Sequence, residues 1–232
     1  MKYGALILLV TLASCGSPGN RVAEPSVVRA SEVTDFHALY RQNCSGCHGI
    51  DGQGALTVAI GSPVYLAIAD GATIRRVIVG GRAGTAMPAF AQNAGGQLTE
   101  AQVDILVRGI RERWAKPAAL DSDRPPAYAA SQPGDAARGH NVFTTYCSSC
   151  HGSEGRGGQA GSIVDSSYLA LVSDQHLRTL TIVGLPALGA PDWRGNVPGK
   201  PMSDADVTDV VAWLTAQRPP LSAQSNHPGG SE

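Results

Sequence analysis

The sequence predicts an all-α protein in which two similar helical domains with Gly-rich loops follow each other along the chain. Two observations predict this fold class. When the chain is compared with itself, motifs recur at a spacing of 103 residues, as between Cys44 and Cys147. Apolar residues recur at helical spacing towards the end of each repeat, and no stretch alternates as a strand would. Each repeat is therefore expected to fold as one small domain.

The repeat is visible along most of each predicted domain. Residues 51–54 match 154–157, residues 65–67 match 168–170 and, one residue out of register, Gly80 matches Gly184. Each repeat ends in a predicted helix that contains a tryptophan and stops before a proline. Both of these helices open with a capping-box pattern, at residues 99–102 and 203–206.

These matches set the predicted domain boundaries. Residues 31–116 form the first domain and residues 135–218 form the second. Residues 117–134 are rich in Pro, Ala, Ser and Asp, which is typical of a linker. Residues 219–232 lack any pattern and are predicted to be a disordered tail.

The first 15 residues are predicted to be a lipoprotein signal peptide. Lys2 precedes a short apolar run that is too short to span a bilayer, and residues 12–15 resemble the bacterial lipobox. Cleavage there would leave Cys15 as the lipid-bearing first residue, with residues 16–30 as a flexible tether. We therefore expect an extracytoplasmic protein, lipid-anchored to a bacterial membrane on the periplasmic side or at the cell surface. An ordinary secretory signal with a chance cysteine is the alternative.

The composition limits the classes of partner. The formal net charge is −1, from 18 basic and 19 acidic residues, so the chain lacks the basic excess that binding to nucleic acid requires. Hydrophobic residues make up 43% of the chain, which is enough for buried cores, but aromatic residues make up 5%. Small domains with so few large side chains often need a cofactor to fill their centre.

Each repeat contains the pattern Cys-x-x-Cys-His. The residues are Cys44, Cys47 and His48 in the first repeat, and Cys147, Cys150 and His151 in the second. On one helical turn the two sulfurs face the same way and can bond the two vinyl groups at one haem edge, while the histidine ligates the iron. The motifs therefore predict two covalently bound haem c groups. A zinc site would need its two cysteine pairs about 15–20 residues apart, whereas these pairs lie a whole domain apart. A thioredoxin-like site would need a βαβ context, which the sequence lacks.

Two methionines are candidates for the second axial position of the iron. Met87 and Met202 each follow the histidine of their own repeat and precede its last helix. An isolated methionine is more often core filler than a ligand, but the parallel placement of these two predicts ligation. The stretch from Gly184 to Met202 is 11 residues longer than that from Gly80 to Met87, which predicts an inserted loop beside the second haem.

On these residues the chain resembles class I cytochrome c, duplicated as in dihaem members of that family, over roughly residues 33–116 and 135–218. The resemblance implies two helical domains, each wrapped around a c-type haem, with crossing first and last helices and a Met-bearing loop over the distal side. It also implies the residues that hold the haems. The thioether residues would be Cys44, Cys47, Cys147 and Cys150, and the axial ligands would be His48, Met87, His151 and Met202.

The two repeats depart differently from the family pattern. The family often has a glycine and an aromatic residue where the first helix crosses the last. Gly139 and Phe143 fit this pattern in the second repeat, whereas the first repeat has Phe36 and Tyr40 there. We therefore expect the first crossing to differ.

An iron ligated by histidine and methionine has no open position for oxygen or peroxide, but it exchanges one electron readily. We therefore expect an electron carrier rather than an enzyme, passing single electrons between respiratory or dehydrogenase partners. Its partners would be redox proteins or a membrane respiratory complex. Two alternatives stay open: a dihaem cytochrome c peroxidase-like enzyme and a haem-based ligand sensor.

Overall fold

The computed structural model describes residues 28–54, 57–116, 120 and 123–219. Within these residues the regular structure is helical, and the β-pairing amounts to two isolated bridges, Ala91–Leu98 and Leu185–Ala190. The predicted all-α fold class is confirmed. No helix in the described ranges is both long and apolar enough to cross a bilayer. The predicted signal peptide with Cys15, most of the tether and nearly all of the tail lie outside the described residues.

Both repeats have the same order of helices. In the first repeat they are α1 (Phe36–Asn43), α2 (Ser45–His48), α3 (Pro63–Ile68), α4 (Gly71–Gly80) and α5 (Glu100–Trp114). In the second they are α6 (Ala136–Tyr146), α7 (Ser148–His151), α8 (Ser166–Leu171), α9 (Asp174–Val183) and α10 (Asp204–Ala216). Short 3-10 turns occur at Ala30–Glu32, Gln92–Ala94 and Pro186–Leu188.

The predicted capping boxes start the last helix of each repeat. Thr99 accepts a hydrogen bond from the backbone N–H of Gln102, whose side chain accepts from the N–H of Thr99 in return. Ser203 and Asp206 form the same pair at the start of α10. Such an N-cap stabilises a helix by about 1 kcal/mol, so these two pairs fix where each helix begins.

The crossing of the first and last helices is built differently in the two repeats, as expected. In the second repeat a Cβ at Gly139 would lie 2.0 Å from the carbonyl oxygen of Asp209, so α6 and α10 touch there through backbone. In the first repeat a Cβ at Gly109 of α5 would lie 2.2 Å from the ring of Phe36 on α1. The glycine has therefore changed helices between the repeats.

The aromatic residues at the crossings have changed helices as well. Phe36 lies at the repeat position of Gly139, and Gly109 lies at the repeat position of Trp213. Trp213 packs on Phe143 of α6 with 4.4 Å between ring centroids. Each crossing thus combines one large and one absent side chain, which lets two helices approach closely without a void.

An ion pair between the exposed Arg138 and the buried Asp209 joins the second crossing to the start of α6. Asp209, which is 5% exposed, accepts hydrogen bonds from Arg138 Nε at 2.9 Å and from the backbone N–H of Asp135 at 2.7 Å. The hydrogen bonds from Arg138 hold the pKa of Asp209 below its usual value, since they favour the ionised carboxylate. The carboxylate is therefore charged and satisfied at neutral pH.

Part of the predicted linker is bound to the second repeat. The Arg178 side chain, which is 3% exposed, donates to the carbonyl of Ala127 from Nε at 3.0 Å and from Nη2 at 2.8 Å. Gln175 donates to the carbonyl of Tyr128 at 2.6 Å, and the Tyr128 hydroxyl accepts a hydrogen bond from Arg82 of the first repeat. This segment therefore contacts both repeats.

Replacing Gly139 by alanine is expected to lower the free energy of unfolding by about 1–3 kcal/mol, the range for overpacked cores. The added methyl would overlap the Asp209 carbonyl. Gly80 is the matched control, because it also lies in a helix but a Cβ there would have nothing within 4 Å. Gly80→Ala should raise the free energy of unfolding by about 0.5–1 kcal/mol, because alanine favours the helix over glycine. Denaturant titration followed by circular dichroism measures both, and equal effects would contradict the crossing geometry.

Candidate functional site

The two Cys-x-x-Cys-His segments lie directly after the first helix of each repeat. Cys44 and Cys147 break the helix, with φ near −122° and −124°, and their backbone N–H groups donate 2.8 Å hydrogen bonds to the preceding turn. The next residues form the short helices α2 and α7. Each first cysteine is partly buried and each second cysteine, Cys47 or Cys150, is exposed, and none of the four forms a disulfide. The predicted residues are therefore brought together locally in both repeats.

Each histidine of the motif is oriented by a backbone carbonyl. His48 Nδ1 lies 3.0 Å from the carbonyl oxygen of Val58, and His151 Nδ1 lies 2.8 Å from that of Gly161. A carbonyl can only accept a hydrogen bond, so Nδ1 carries the proton and Nε2 keeps the lone pair that a metal needs. Burial lowers the pKa of His48, which keeps this imidazole neutral. Such an outer hydrogen bond is the usual partner of a ligating histidine.

The first cysteine of each pair is a protonated thiol at neutral pH. Burial, with a smaller contribution from Cys47, raises the pKa of Cys44 to about 12. Burial and Cys150 do the same for Cys147. Zinc sites and redox-active pairs use thiolates, which this environment disfavours. The described residues contain no cluster of three or more His, Cys, Asp or Glu side chains that could hold a metal ion.

Two cysteines and one imidazole, whose Nδ1 is turned to a backbone carbonyl so that Nε2 is left for the iron, are the donor set that a covalently bound haem c requires. The set occurs twice, at the same spacing of 103 residues and with the same backbone contacts. The residues present therefore fit a haem c group at each segment.

A tyrosine clamps the first segment. The Tyr40 hydroxyl donates a 2.8 Å hydrogen bond to the carbonyl of Gly49, the residue after His48. Its ring packs edge-on against Trp114, with 5.1 Å between centroids. Phe143 takes this position in the second repeat and makes no such bond, so the first segment is held to α1 by one contact more.

Met87 lies on the loop between α4 and α5, where it is half-buried. Its carbonyl accepts a hydrogen bond from the Arg82 N–H at 2.9 Å, and its own N–H donates to Thr85 Oγ1 at 3.2 Å. The loop leaves α4 at Gly81, whose φ of 65° favours glycine. A tight, closed turn therefore presents Met87.

The corresponding turn of the second repeat presents Ala190 rather than a methionine. α9 ends at Gly184 with a φ of 73°, so Gly184 corresponds to Gly81 and not to Gly80 as the sequence comparison suggested. The N–H of Leu185 then donates to the carbonyl of Ala190 at 3.0 Å, as that of Arg82 does to Met87.

Met202 occupies a different position. Its N–H donates to the carbonyl of Trp193 at 2.9 Å, just as that of Leu98 donates to the carbonyl of Phe90 at 2.7 Å. Met202 is 2% exposed and Leu98 is 4% exposed, and each directly precedes the N-cap of the last helix. The predicted equivalence of Met202 and Met87 is therefore wrong, although ligation of an iron by Met202 stays a prediction.

The predicted inserted loop is wrong for the same reason. From Gly81 and Gly184 to the N-caps Thr99 and Ser203, the two loops differ in length by one residue. The 11-residue insertion followed from pairing the two methionines. Pairing the prolines that follow Met87 and Ala190, at the unchanged spacing of 103, would have found the correct register in the sequence.

Known proteins resemble this chain in both repeats. A family model described as cytochrome C oxidase, cbb3-type, subunit III matches residues 31–108 and 134–214, more than half of the chain. The cytochrome bc1 complex cytochrome c subunit of Mycobacterium tuberculosis (strain ATCC 25618 / H37Rv) is 23% identical over 234 residues, 98% of this chain and 79% of the relative. The subunit of the same name from Corynebacterium diphtheriae is 24% identical over 231 residues, 93% of this chain and 79% of the relative.

Among solved structures, a chain of the Kuenenia stuttgartiensis reducing HAO-like protein complex aligns with a TM-score of 0.46 and 16% identity. The alignment covers 79% of this chain and 96% of that chain.

Replacing Tyr40 by phenylalanine is expected to lower the free energy of unfolding by about 1 kcal/mol, the usual net value of one hydrogen bond. The Gly49 carbonyl would lose its donor while the ring packing stays. Tyr146→Phe is the matched control, because the Tyr146 hydroxyl has no hydrogen-bond partner among the described residues. Guanidinium denaturation of both variants measures the difference, and an unchanged Tyr40→Phe protein would show that the clamp contributes nothing.

Proposed function

The chain belongs to the family of cbb3-type cytochrome c oxidase subunit III, and from this premise we propose that it is a membrane-anchored dihaem c-type cytochrome that carries single electrons. The family implies covalently bound haem c. The observation that carries the finer proposal is that one attachment geometry, with two thiols and a carbonyl-oriented imidazole, occurs in both repeats.

When bound, haem c supplies reversible one-electron exchange at its iron. In the first repeat Cys44 and Cys47 would hold it by thioether bonds, and His48 and Met87 would be the axial ligands. The Val58 carbonyl holds the proton on His48 Nδ1, which would leave Nε2 to ligate the iron. The turn closed by the hydrogen bond from Arg82 to Met87 would restrain the other ligand, which would keep rearrangement during electron exchange small.

In the second repeat Cys147, Cys150 and His151 would hold the other haem, with the Gly161 carbonyl in the orienting role. The sequence predicted Met202 as the remaining ligand, a residue enclosed in the core at the position of Leu98. The identity of the remaining ligand of the second iron is therefore a separate question from whether the second haem is bound.

We propose that the protein works as the cytochrome c subunit of a membrane respiratory complex. Two of its relatives are named cytochrome bc1 complex cytochrome c subunits, and the matching family is named for a terminal oxidase subunit. Both assemblies pass electrons in respiratory membranes. Such cytochrome c subunits transfer electrons and are not enzymes, which disfavours the peroxidase-like alternative.

The contacts between the repeats support a relay within one chain. α3 of the first repeat packs against α9 of the second. Tyr128 is bonded to Arg82 on one side and to Gln175 on the other, so the two repeats are joined beyond their covalent connection. Two haems in repeats that keep a fixed relative position would exchange electrons without a diffusive step.

The haem content tests the proposed cofactor set. Intact mass of the mature protein should show two haem groups, because each motif bonds one. The paired change of Cys44 and Cys47 to serine should remove one haem, the matched change of Cys147 and Cys150 should remove the other, and all four changes should leave none. A wild-type protein with fewer than two porphyrins would refute a dihaem carrier.

Labelling with radioactive palmitate tests the anchor. We expect label in the wild-type protein and none in Cys15→Ser, since the lipobox sulfur would be the acylated atom. The Cys44→Ser, Cys47→Ser protein should keep the label. The proposed anchor fails if label persists without Cys15. Subunits of a respiratory complex should co-purify with the labelled protein from detergent-solubilised membranes.

A further inference from the structure

We propose that the iron of the second haem has no methionine ligand, because Ala190 stands where Met87 stands in the first repeat, and that its sixth position binds small uncharged ligands such as carbon monoxide. This inference rests on the proposed function in that it presumes a haem held by Cys147, Cys150 and His151.

The two distal turns, residues 82–87 and 185–190, share the backbone hydrogen bonds that open and close them. Thr85 donates from its N–H to the Arg82 carbonyl at 3.1 Å, and Leu188 does the same to the Leu185 carbonyl at 2.8 Å. The bonds that close the turns, to the carbonyls of Met87 and Ala190, are 2.9 and 3.0 Å long. All of these pairs keep the spacing of 103 residues.

The glycines that begin the turns give an independent measure of this register. A Cβ at Gly81 would lie 2.7 Å from the carbonyl oxygen of Met87, and a Cβ at Gly184 would lie 2.7 Å from that of Ala190. Each glycine therefore packs at the same distance against the residue that closes its turn, Met87 in the first repeat and Ala190 in the second. The Cα–Cβ direction follows from the backbone, so the Cβ of Ala190 takes the direction from which Met87 projects. A methyl group carries no donor atom.

Met202 does not replace the missing thioether. It lies 12 residues beyond Ala190, is enclosed by protein atoms like Leu98, and forms part of the core beneath the N-terminus of α10. Its Sδ is the acceptor for Asn196 Nδ2 at 3.9 Å. The half-buried Met87, by contrast, is not enclosed in its repeat's core.

The distal turn offers no other coordinating side chain. Residues 185–191 read Leu-Pro-Ala-Leu-Gly-Ala-Pro, without a single polar or charged side chain. The matching turn of the first repeat contains Arg82 and Thr85 as well as Met87. Lys200, the nearest lysine in the sequence, has its Nζ 5.5 Å from the centre of the Tyr146 ring.

The chemistry of the turn selects the ligand class. An anion entering beside Leu, Pro and Ala side chains would lose hydration without gaining a hydrogen bond, which is costly. An uncharged diatomic molecule that accepts electron density from a ferrous iron has no such cost. Carbon monoxide is therefore the probe.

The test is a carbon monoxide titration of the full-length, haem-loaded protein after reduction with dithionite. We expect one carbon monoxide per two haems in the wild type. Ala190→Met should abolish this binding, and the near-infrared absorption of methionine-ligated ferric haem should double. Met87→Ala, the matched change in the first repeat, should raise the stoichiometry to two and remove that absorption.

Met202→Leu tests whether Met202 ligates the second iron, and it does so even if Ala190→Met folds poorly. Leucine is chosen because it is the residue at the matching position of the first repeat. The titration and the near-infrared absorption should be unchanged. A wild-type protein that binds no carbon monoxide, or a Met202→Leu protein that binds one more carbon monoxide than the wild type and loses near-infrared absorption, overturns the inference. The haem count of the same sample keeps the two proposals apart: fewer than two haems refutes the proposed function, whereas two haems without carbon monoxide binding refutes this inference alone.

Discussion

The structure depends on the close crossing of the first and last helix in each repeat. The first helix ends at the first cysteine of the motif, so its angle against the last helix sets where the thiols and the histidine lie. Helices approach this closely only where one of them lacks a side chain. The second repeat meets the requirement with Gly139 and Trp213, and the first with Gly109 and Phe36. Both repeats therefore keep the close approach of the two helix backbones, but the glycine lies on the last helix in the first repeat and on the first helix in the second.

Two arginine contacts follow the same rule. Arg111 donates to the carbonyl of Ala69 at 3.0 Å, and Arg218 donates to the matching carbonyl of Val172 at 2.7 Å. Arg111 lies inside α5 and Arg218 lies two residues beyond the end of α10, yet each donates to the C-cap carbonyl of the short third helix of its repeat. Arg75 and Arg178 do share a repeat position, but Arg178 is buried because the Ala127 carbonyl covers it.

The sequence predicted the elements that depend on local residue type. The capping boxes at Thr99 and Ser203 and the Cys-x-x-Cys-His turns all act within a few residues of themselves, so their letters are sufficient. The sequence failed where an element depends on backbone register. Met202 was paired with Met87 because both are methionines, whereas the structure pairs them with Leu98 and Ala190. The binding of residues 127–128 also gave no signal, since Arg178 and Gln175 recognise carbonyls that every residue has.

The two repeats therefore share a backbone but not a chemistry at their distal turns. In the first repeat Arg82 holds the Met87 carbonyl with its N–H and reaches Tyr128 with its guanidinium, so the methionine turn is braced against the segment that binds the second repeat. The second repeat has Leu185 at the position of Arg82, and its turn has no such brace. A braced turn suits a ligand that must stay in place through each change of charge. A turn that carries no ligand has no need of bracing, so the loss of the arginine and the loss of the methionine at matching positions have one physical explanation.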